Sequence, residues 1–249
     1  MKNAMFDPLA DLYERYRSGY SAELFGALEA YGLAVGTRVL DVGCGTALVG
    51  AELVKRGCEL VGVDVSAAML EYARKRVPSA QFLVAAAEQL PFADASFDVA
   101  IVSQAFHWFD RAPALAEMTR IVRPGGFIAV CWKQIMRGDP LRGMRDEVAQ
   151  ELGFDGFDEL VNSEVLGFLE QSSLCEHKLC IIPWIVKMTG QDCVGYERSR
   201  ARARAKFGDV LERYIERLAL RLAPLDEKIA VAYVQYLFLG TVPVIAQNC

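Results

Sequence analysis

The chain has 249 residues, 53% of them apolar, with a formal charge of −5 at pH 7 and seven cysteines. That apolar content supports one large α/β domain with additions and excludes an intrinsically disordered chain. The acidic balance argues against nucleic acid as a general partner, because such binding draws on a basic face.

The cysteines at 44, 58, 131, 175, 180, 193 and 249 form no Cys-x-x-Cys pair, and the chain has two histidines in all. No metal site is expected from them; reduced, buried thiols in a cytoplasmic protein are. No apolar signal run opens the sequence. No apolar stretch reaches the ~18–20 residues of a membrane span. The nearest, 229–246, is interrupted by Tyr233, Gln235, Tyr236, Thr241 and Pro243.

Residues 7–33 read as one or two helices, with a break near Tyr20 where Ser18, Gly19 and Ser21 cluster. From 37 to 132 apolar strands alternate with helical segments. The strands are Val39–Val42, Leu60–Asp64, Gln81–Ala85, Val99–Ser103 and Phe127–Trp132. Near-continuous apolar runs of this kind suit parallel strands covered on both faces. The helices between them run over 47–56, 67–76 and 111–122, with Ser66 placed to cap the second and Pro124 following the third.

Beyond Trp132 the pattern changes. Residues 139–173 read as helical, carrying Phe154, Phe157, Leu160, Leu166, Phe168 and Leu169, and are expected to form part of a lid. Leu179–Val186 is strand-like, 191–222 helical and charged, and Val231–Ile245 a last strand. On a continuous helix, Arg198 and Arg202 would share one face, and Arg200 and Arg204 another. That run reads either as a solvated face or as an anion-binding lid.

The segment Val39–Ala47 concentrates the information. An apolar run ends at Gly43 and Gly45, a helical segment follows, and the next apolar run ends in Asp64, nineteen residues beyond Gly45. A strand, a glycine turn, a helix and a second strand tipped by a carboxylate hold the adenosine part of a cofactor. A dinucleotide fingerprint wants Gly or Ala where Leu48 stands, and a P-loop ending is absent.

The sequence resembles the class I S-adenosylmethionine-dependent methyltransferases. Asp41, Gly43, Gly45 and Ala47 fall on the marked positions of their first motif, D-x-G-x-G-x-G, with Ala47 where the family usually has glycine. Ala87–Phe92 with Asp94–Asp98 resembles the family's A-E-x-L-P-F-x-D-x-S-F-D segment, and Arg120–Phe127 the turn before its fifth strand. Gln104–Asp110 resembles a small-molecule subgroup that includes trans-aconitate methyltransferase-like proteins.

The resemblance implies a Rossmann-like α/β fold: a seven-stranded, mostly parallel sheet with helices on both faces, one antiparallel strand near the C-terminus and helical lid additions. It is expected as one domain: an N-terminal helical cap over 1–35, the cofactor core over 36–132, a lid insertion with a late strand and helices over 133–230, and a last strand and tail over 231–249.

For the site, the resemblance implies S-adenosylmethionine as cofactor. It would be held by Asp41, Gly43, Cys44, Gly45, Asp64, Val65 and Met69, by Ala86, Ala87 and Glu88, by Gln104 and Phe106, and by Tyr13 and Arg17. Asp64 would take the ribose diol, or else cap the helix after Ser66. Asp41 would lie near the methionine amino group, directly or through water. Met69 would pack on adenine or in the core. Tyr13, Arg17 and Tyr20 resemble the family's Y-x-x-x-R-P-x-Y segment, whose arginine lies near the cofactor carboxylate; a surface role for Arg17 is the alternative.

Relatives often carry an acid where Ala85 and Ala86 stand, so backbone near Ala86 and Ala87, or Glu88, would serve the adenine. His107 is the one candidate catalytic base, against a packed ring bonded to backbone. The expected reaction is methyl transfer to a small-molecule acceptor, O-methylation first, by a monomer or homodimer with neither nucleic acid nor membrane as partner. An RNA or protein methyltransferase, or a non-catalytic protein of the same fold, is the alternative. Gln104–Trp108 stands where methyltransferases of nucleobase or glutamine amino groups carry an Asn-Pro-Pro-Tyr-like motif.

Overall fold

The structure is a computed structural model that describes residues 6–156, 163–225 and 228–244. Seven strands form one sheet in the order β3-β2-β1-β4-β5-β7-β6. They are β1 (Arg38–Val42), β2 (Glu59–Asp64), β3 (Gln81–Val84), β4 (Phe97–Ser103), β5 (Val122–Ile135), β6 (Cys175–Met188) and β7 (Ile229–Thr241). The first five pair in parallel. β7 runs antiparallel to β5: Val242 N–H donates to Gly126 O, and Met136 N–H to Ala232 O, both at 2.8 Å. The seven-stranded, mostly parallel sheet with its antiparallel pair near the C-terminus is the expected fold.

The helices are α1 (Ala10–Tyr16), α2 (Ala22–Tyr31), α3 (Leu48–Lys55), α4 (Ala67–Arg76), α5 (Arg111–Ile121), α6 (Pro140–Glu151), α7 (Ser163–Glu170), α8 (Gly190–Arg198), α9 (Ala201–Phe207) and α10 (Leu211–Leu222). Local chemistry sets several starts. Ser21 Oγ accepts from Leu24 N–H, so the N-terminal helices part around Tyr20 as expected. Ser66 Oγ accepts from Met69 N–H at 3.1 Å and caps α4. Thr189 and Asp192 form a capping box that starts α8. No described helix is long and apolar enough to cross a membrane.

Three sequence expectations change. The Pro124-Gly125-Gly126 turn is part of β5, because Gly125 N–H and Gly126 O both pair with Val242. A Cβ on Gly126 would collide with Asp98 O, so glycine lets the strands close there. The helical reading of 139–173 is interrupted: α6 ends at Gly153 (φ 83°), where Phe154 N–H donates to Ala149 O. Phe157 and Leu160 lie outside the described residues, as do Ile245 and Cys249. The helical reading of 191–222 breaks twice, at Ser199–Arg200 and at Gly208 (φ 49°).

The chain divides into two compact units. One comprises Gly19–Trp132, Leu160–Ile182 and Gln235–Cys249; the other Met1–Ser18, Lys133–Glu159 and Pro183–Val234. In the first, the strand alternation sorts apolar residues to two faces. Leu40, Val42, Ala100, Val102, Ile128 and Val130 pack with α5 and α7 through Leu115, Met118 and Leu169. Val39, Val99, Ile101, Phe127 and Ala129 pack with α2, α3 and α4 through Phe25, Leu53 and Leu70. The second unit has its own core, with Tyr196, Phe207, Tyr214, Leu218 and Tyr233 at its centre.

Candidate functional site

The turn after β1 is fixed by backbone hydrogen bonds. Gly43 N–H and Cys44 N–H both donate to Val63 O on β2, at 2.8 and 3.0 Å. Gly43 (φ 70°) and Gly45 (φ 54°) are left-handed. Gly43 has a second reason to be glycine: a Cβ there would stand 2.6 Å from Ala105 Cβ and 3.1 Å from Phe109 Cζ. Ala47 adopts φ 57°, ψ 40° at the cap of α3, where the motif's third glycine would sit. A non-glycine residue there costs roughly 1–2 kcal/mol, and its methyl is fully buried.

Asp64, at the end of β2, is gripped by two amides. Gly45 N–H donates to one carboxylate oxygen and Ser66 N–H to the other, each at 2.9 Å. The side chain therefore faces the glycine turn and also organises the start of α4. Both readings of the sequence describe one geometry, in which the capping bonds hold the carboxylate still.

Asp41 stands on β1, on the face that carries α3 and α4, and is 1% exposed. Its Oδ1 and the Thr46 hydroxyl are buried with no hydrogen-bond partner among the described residues. Burial, and then the nearby charge of Asp64, raise the Asp41 carboxyl to about 7. Burial also pushes the Cys44 thiol well above its usual range, so it is no nucleophile at neutral pH.

Val65 is half-exposed beside Asp64, whereas Met69 is buried on α4. Beyond β3, Ala85 N–H donates to Asp64 O at 3.2 Å, which ties the Ala86–Ala87 backbone to the tip of β2. The Glu88 carboxylate accepts from Asp110 N–H at 2.8 Å and anchors the loop after β4.

That loop begins at Gln104, a non-glycine residue at φ 55° whose N–H donates to Cys131 O. Backbone strain of this kind marks functional loops more often than others. Phe106 is fully buried against Phe109, Trp132 and Phe168, with centroids 6.1–6.4 Å apart, so core packing alone accounts for it. His107 lies in a short 3₁₀ turn with its ring 4.9 Å from that of Trp108.

The structure thus brings Asp41, Gly43, Cys44, Gly45 and Asp64 to one turn in the first unit, with Val65 next to Asp64, the Ala85–Ala86 backbone tied to it, and Gln104 next to Ala105, which covers Gly43. Residues the sequence left unmarked there are Ala105 and Phe109, which cover Gly43, and Thr46. The segment Gln104–Asp110 held the signal for the first two. Nothing local flagged Thr46, whose environment is set by tertiary packing.

Tyr13 and Arg17 belong to the second unit. The Arg17 guanidinium lies between the rings of Tyr13 and Tyr196, 4.7 and 4.6 Å from their centroids. Its Nη2 donates to Ser199 O at 3.2 Å. The arginine run is not one helical face. The break at Ser199–Arg200 turns Arg200 onto Glu197 at 3.0 Å, whereas Arg198 pairs with Glu212 at 2.7 Å.

Residues 40–130 match the family model for the methyltransferase domain. An uncharacterised methyltransferase of Mycobacterium tuberculosis (strain ATCC 25618 / H37Rv) is 37% identical over 151 residues, 61% of this chain and 60% of that protein. A demethylmenaquinone methyltransferase of Beutenbergia cavernae is 36% identical over 132 residues, 51% of this chain and 55% of the relative. The chain thus spans under two thirds of the length of these curated relatives. The crystal structure of a putative type II methyltransferase from Anaeromyxobacter dehalogenans superposes with a TM-score of 0.70 at 24% identity, over 92% of this chain and 99% of that one. Residues 40–130 are therefore similar to a methyltransferase domain, and the sheet that contains them has the fold of that solved structure.

Proposed function

We propose that this chain is an S-adenosylmethionine-dependent methyltransferase acting on a small-molecule acceptor, with O-methylation favoured. The observation that carries the reading is the Asp64 carboxylate, held by the amides of Gly45 and Ser66 beside the left-handed Gly43–Gly45 turn.

The residues present suit the cofactor. A carboxylate fixed at a strand end beside a glycine turn would accept from a ribose diol. The Val65 and Ala86–Ala87 backbone beside it would serve the adenine. The orphaned Asp41 Oδ1 and Thr46 hydroxyl are buried polar atoms that a bridging water or an ammonium would satisfy. Asp41 is too buried for open contact and would act through such a water. Gln104 would border the transferable group. Glu88, Met69 and Phe106 would support the site rather than touch the ligand.

When bound, S-adenosylmethionine supplies a methyl group on a sulfonium, already activated for transfer. The chain's task is then positional: to hold the acceptor in line and exclude water, for which orientation contributes ~7–11 kcal/mol. His107 would take a proton only from an acceptor that must lose one. A relative named for demethylmenaquinone supports a small acceptor, and the net charge of −5 disfavours RNA.

The test is transfer of radiolabelled methyl from S-adenosylmethionine to a panel of hydroxyl, carboxyl and amine metabolites, with total RNA and a peptide mixture alongside. Label appearing in a metabolite supports the reading. Label in RNA or peptide alone, or none anywhere, overturns it.

A further inference from the structure

Asp41 is a sealed carboxyl with no counter-ion. In register it lies between Gly62 of β2 and Ile101 of β4. Packed on it is Gly50 of α3, where a Cβ would stand 3.6 Å from Asp41 Oδ2 and closer still to the buried side chains of Leu60 and Ala47. Its Oδ1 and the Thr46 hydroxyl, both on residues 1% exposed, have no hydrogen-bond partner among the described residues.

The cations on the surrounding elements are committed to other groups. On α4, Arg74 Nη2 donates to Phe82 O at 3.0 Å and Arg76 Nε to Thr46 O at 2.8 Å. Lys55 at the end of α3 and Arg56 just beyond it pair with Glu52 at 2.7 and 2.9 Å. The turn offers Cys44, whose thiol burial keeps protonated. β2 ends in Asp64, whose charge opposes a second anion. An unpaired acid in such a place stays neutral, and Asp41 holds its proton up to about 7. As a neutral acid it adds no packing that an apolar side chain would not. As an anion it would supply a charge beside the glycine turn.

We propose that Asp41 is a proton-exchanging counter-ion of the cofactor, a neutral acid in the unliganded chain that gives its proton to solvent when an α-ammonium arrives at the Gly43–Gly45 turn. This role rests on the S-adenosylmethionine reading and adds that cofactor binding is linked to pH. Two changes act in the same direction. An ammonium, felt at Asp41 Oδ1 across a bridging water, favours the ionised form, and hydroxyl donors on Asp64 draw on the charge that opposes it. The proton goes to the buffer, so affinity rises with pH wherever the unliganded Asp41 is protonated, and levels off above about pH 7.

Calorimetry of the full chain with S-adenosylhomocysteine, at pH 6 in buffers of small and large ionisation enthalpy, counts the protons released. The ligand's own ammonium is already formed at that pH and takes up none. Native protein should release at least about half a proton per ligand. Its affinity should rise at least tenfold between pH 5 and pH 7. Asp41→Asn should release none, and its affinity should change less than threefold over the same range. His107→Ala, which removes the imidazole of the loop after β4, should keep the native release. In infrared difference spectra of native protein, the band of a protonated carboxyl should vanish on binding.

Binding without proton release, or without loss of that band, overturns the role of Asp41 in native protein alone, whether or not the variants fold. Equal release by native protein and Asp41→Asn also overturns it, because the proton would then come from another group. If native protein fails to bind S-adenosylhomocysteine at any pH, the S-adenosylmethionine reading itself falls.

Discussion

Asp41 and Asp64 stand on adjacent parallel strands with opposite surroundings. Asp41 pairs with Gly62, and Asp64 lies two residues further along β2. Asp64 receives two amide hydrogen bonds. Asp41 is buried with its Oδ1 bare, and the charge of Asp64 adds to its burden. Asp41 therefore keeps its proton up to about pH 7, whereas both oxygens of Asp64 are tied to amides.

The Asp41 carboxyl rises from 3.8 unfolded to about 7 folded. The folded state then binds more protons than the unfolded state between about pH 4 and pH 7. Stability is lost as pH rises through that window and levels off above it. The loss is on the order of 4 kcal/mol for a shift of this size. Asp41→Asn should melt above the parent at pH 8 and close to it at pH 5. Equal pH slopes for parent and variant, followed by thermal unfolding, would contradict this placement of Asp41.

Gly43→Ala should destabilise the chain by roughly 2–4 kcal/mol, through a left-handed alanine and a clash with Ala105 and Phe109. Gly138 (φ 84°) has nothing within 4 Å of a built Cβ, so Gly138→Ala isolates the conformational part, about 1 kcal/mol. Denaturant midpoints that fall together for both variants would remove the packing of residues 105–109 on the turn.

Asp64→Ala should weaken S-adenosylhomocysteine by ~1.5–3 kcal/mol, the usual worth of hydrogen bonds to a charged group. It should also lower stability by about 1–2 kcal/mol, because Gly45 and Ser66 lose their acceptor. Asp64→Asn keeps one acceptor oxygen and should fall between. A folded Asp64→Ala variant with unchanged affinity would leave Asp64 as a cap only.

His107→Ala should reduce turnover by less than roughly a hundredfold, because positioning carries more of the rate than general base catalysis, itself worth ~10²–10⁴. A larger drop at unchanged cofactor affinity would make His107 the base.

The first five strands and the three helices among them were legible because parallel strands covered on both faces read as apolar runs. Asp64 was legible because a carboxylate at a strand end after a glycine turn is a local pattern. Local reading failed where pairing partners lie far away. Pro124–Gly126 looks like a turn, and only Val242, over a hundred residues on, makes it strand. Arg198 and Arg202 were placed on one helical face, but the chain breaks between them at Ser199–Arg200, where Arg200 meets the buried Glu197. The exposed-looking Glu88 proved to be an anchor for Asp110 N–H, a contact no spacing encodes. Phe106 reads as a loop aromatic, yet lies fully buried because Trp132 and Phe168 converge on it from distant segments.

The measurement that bears most directly on the central claim is titration calorimetry of the native chain with S-adenosylmethionine, S-adenosylhomocysteine and NAD. The turn at Gly43–Gly45 with Asp64 predicts saturable binding of both methyl-cofactor forms and no appreciable heat with NAD. Silence with both forms, or tighter binding of NAD, would contradict it.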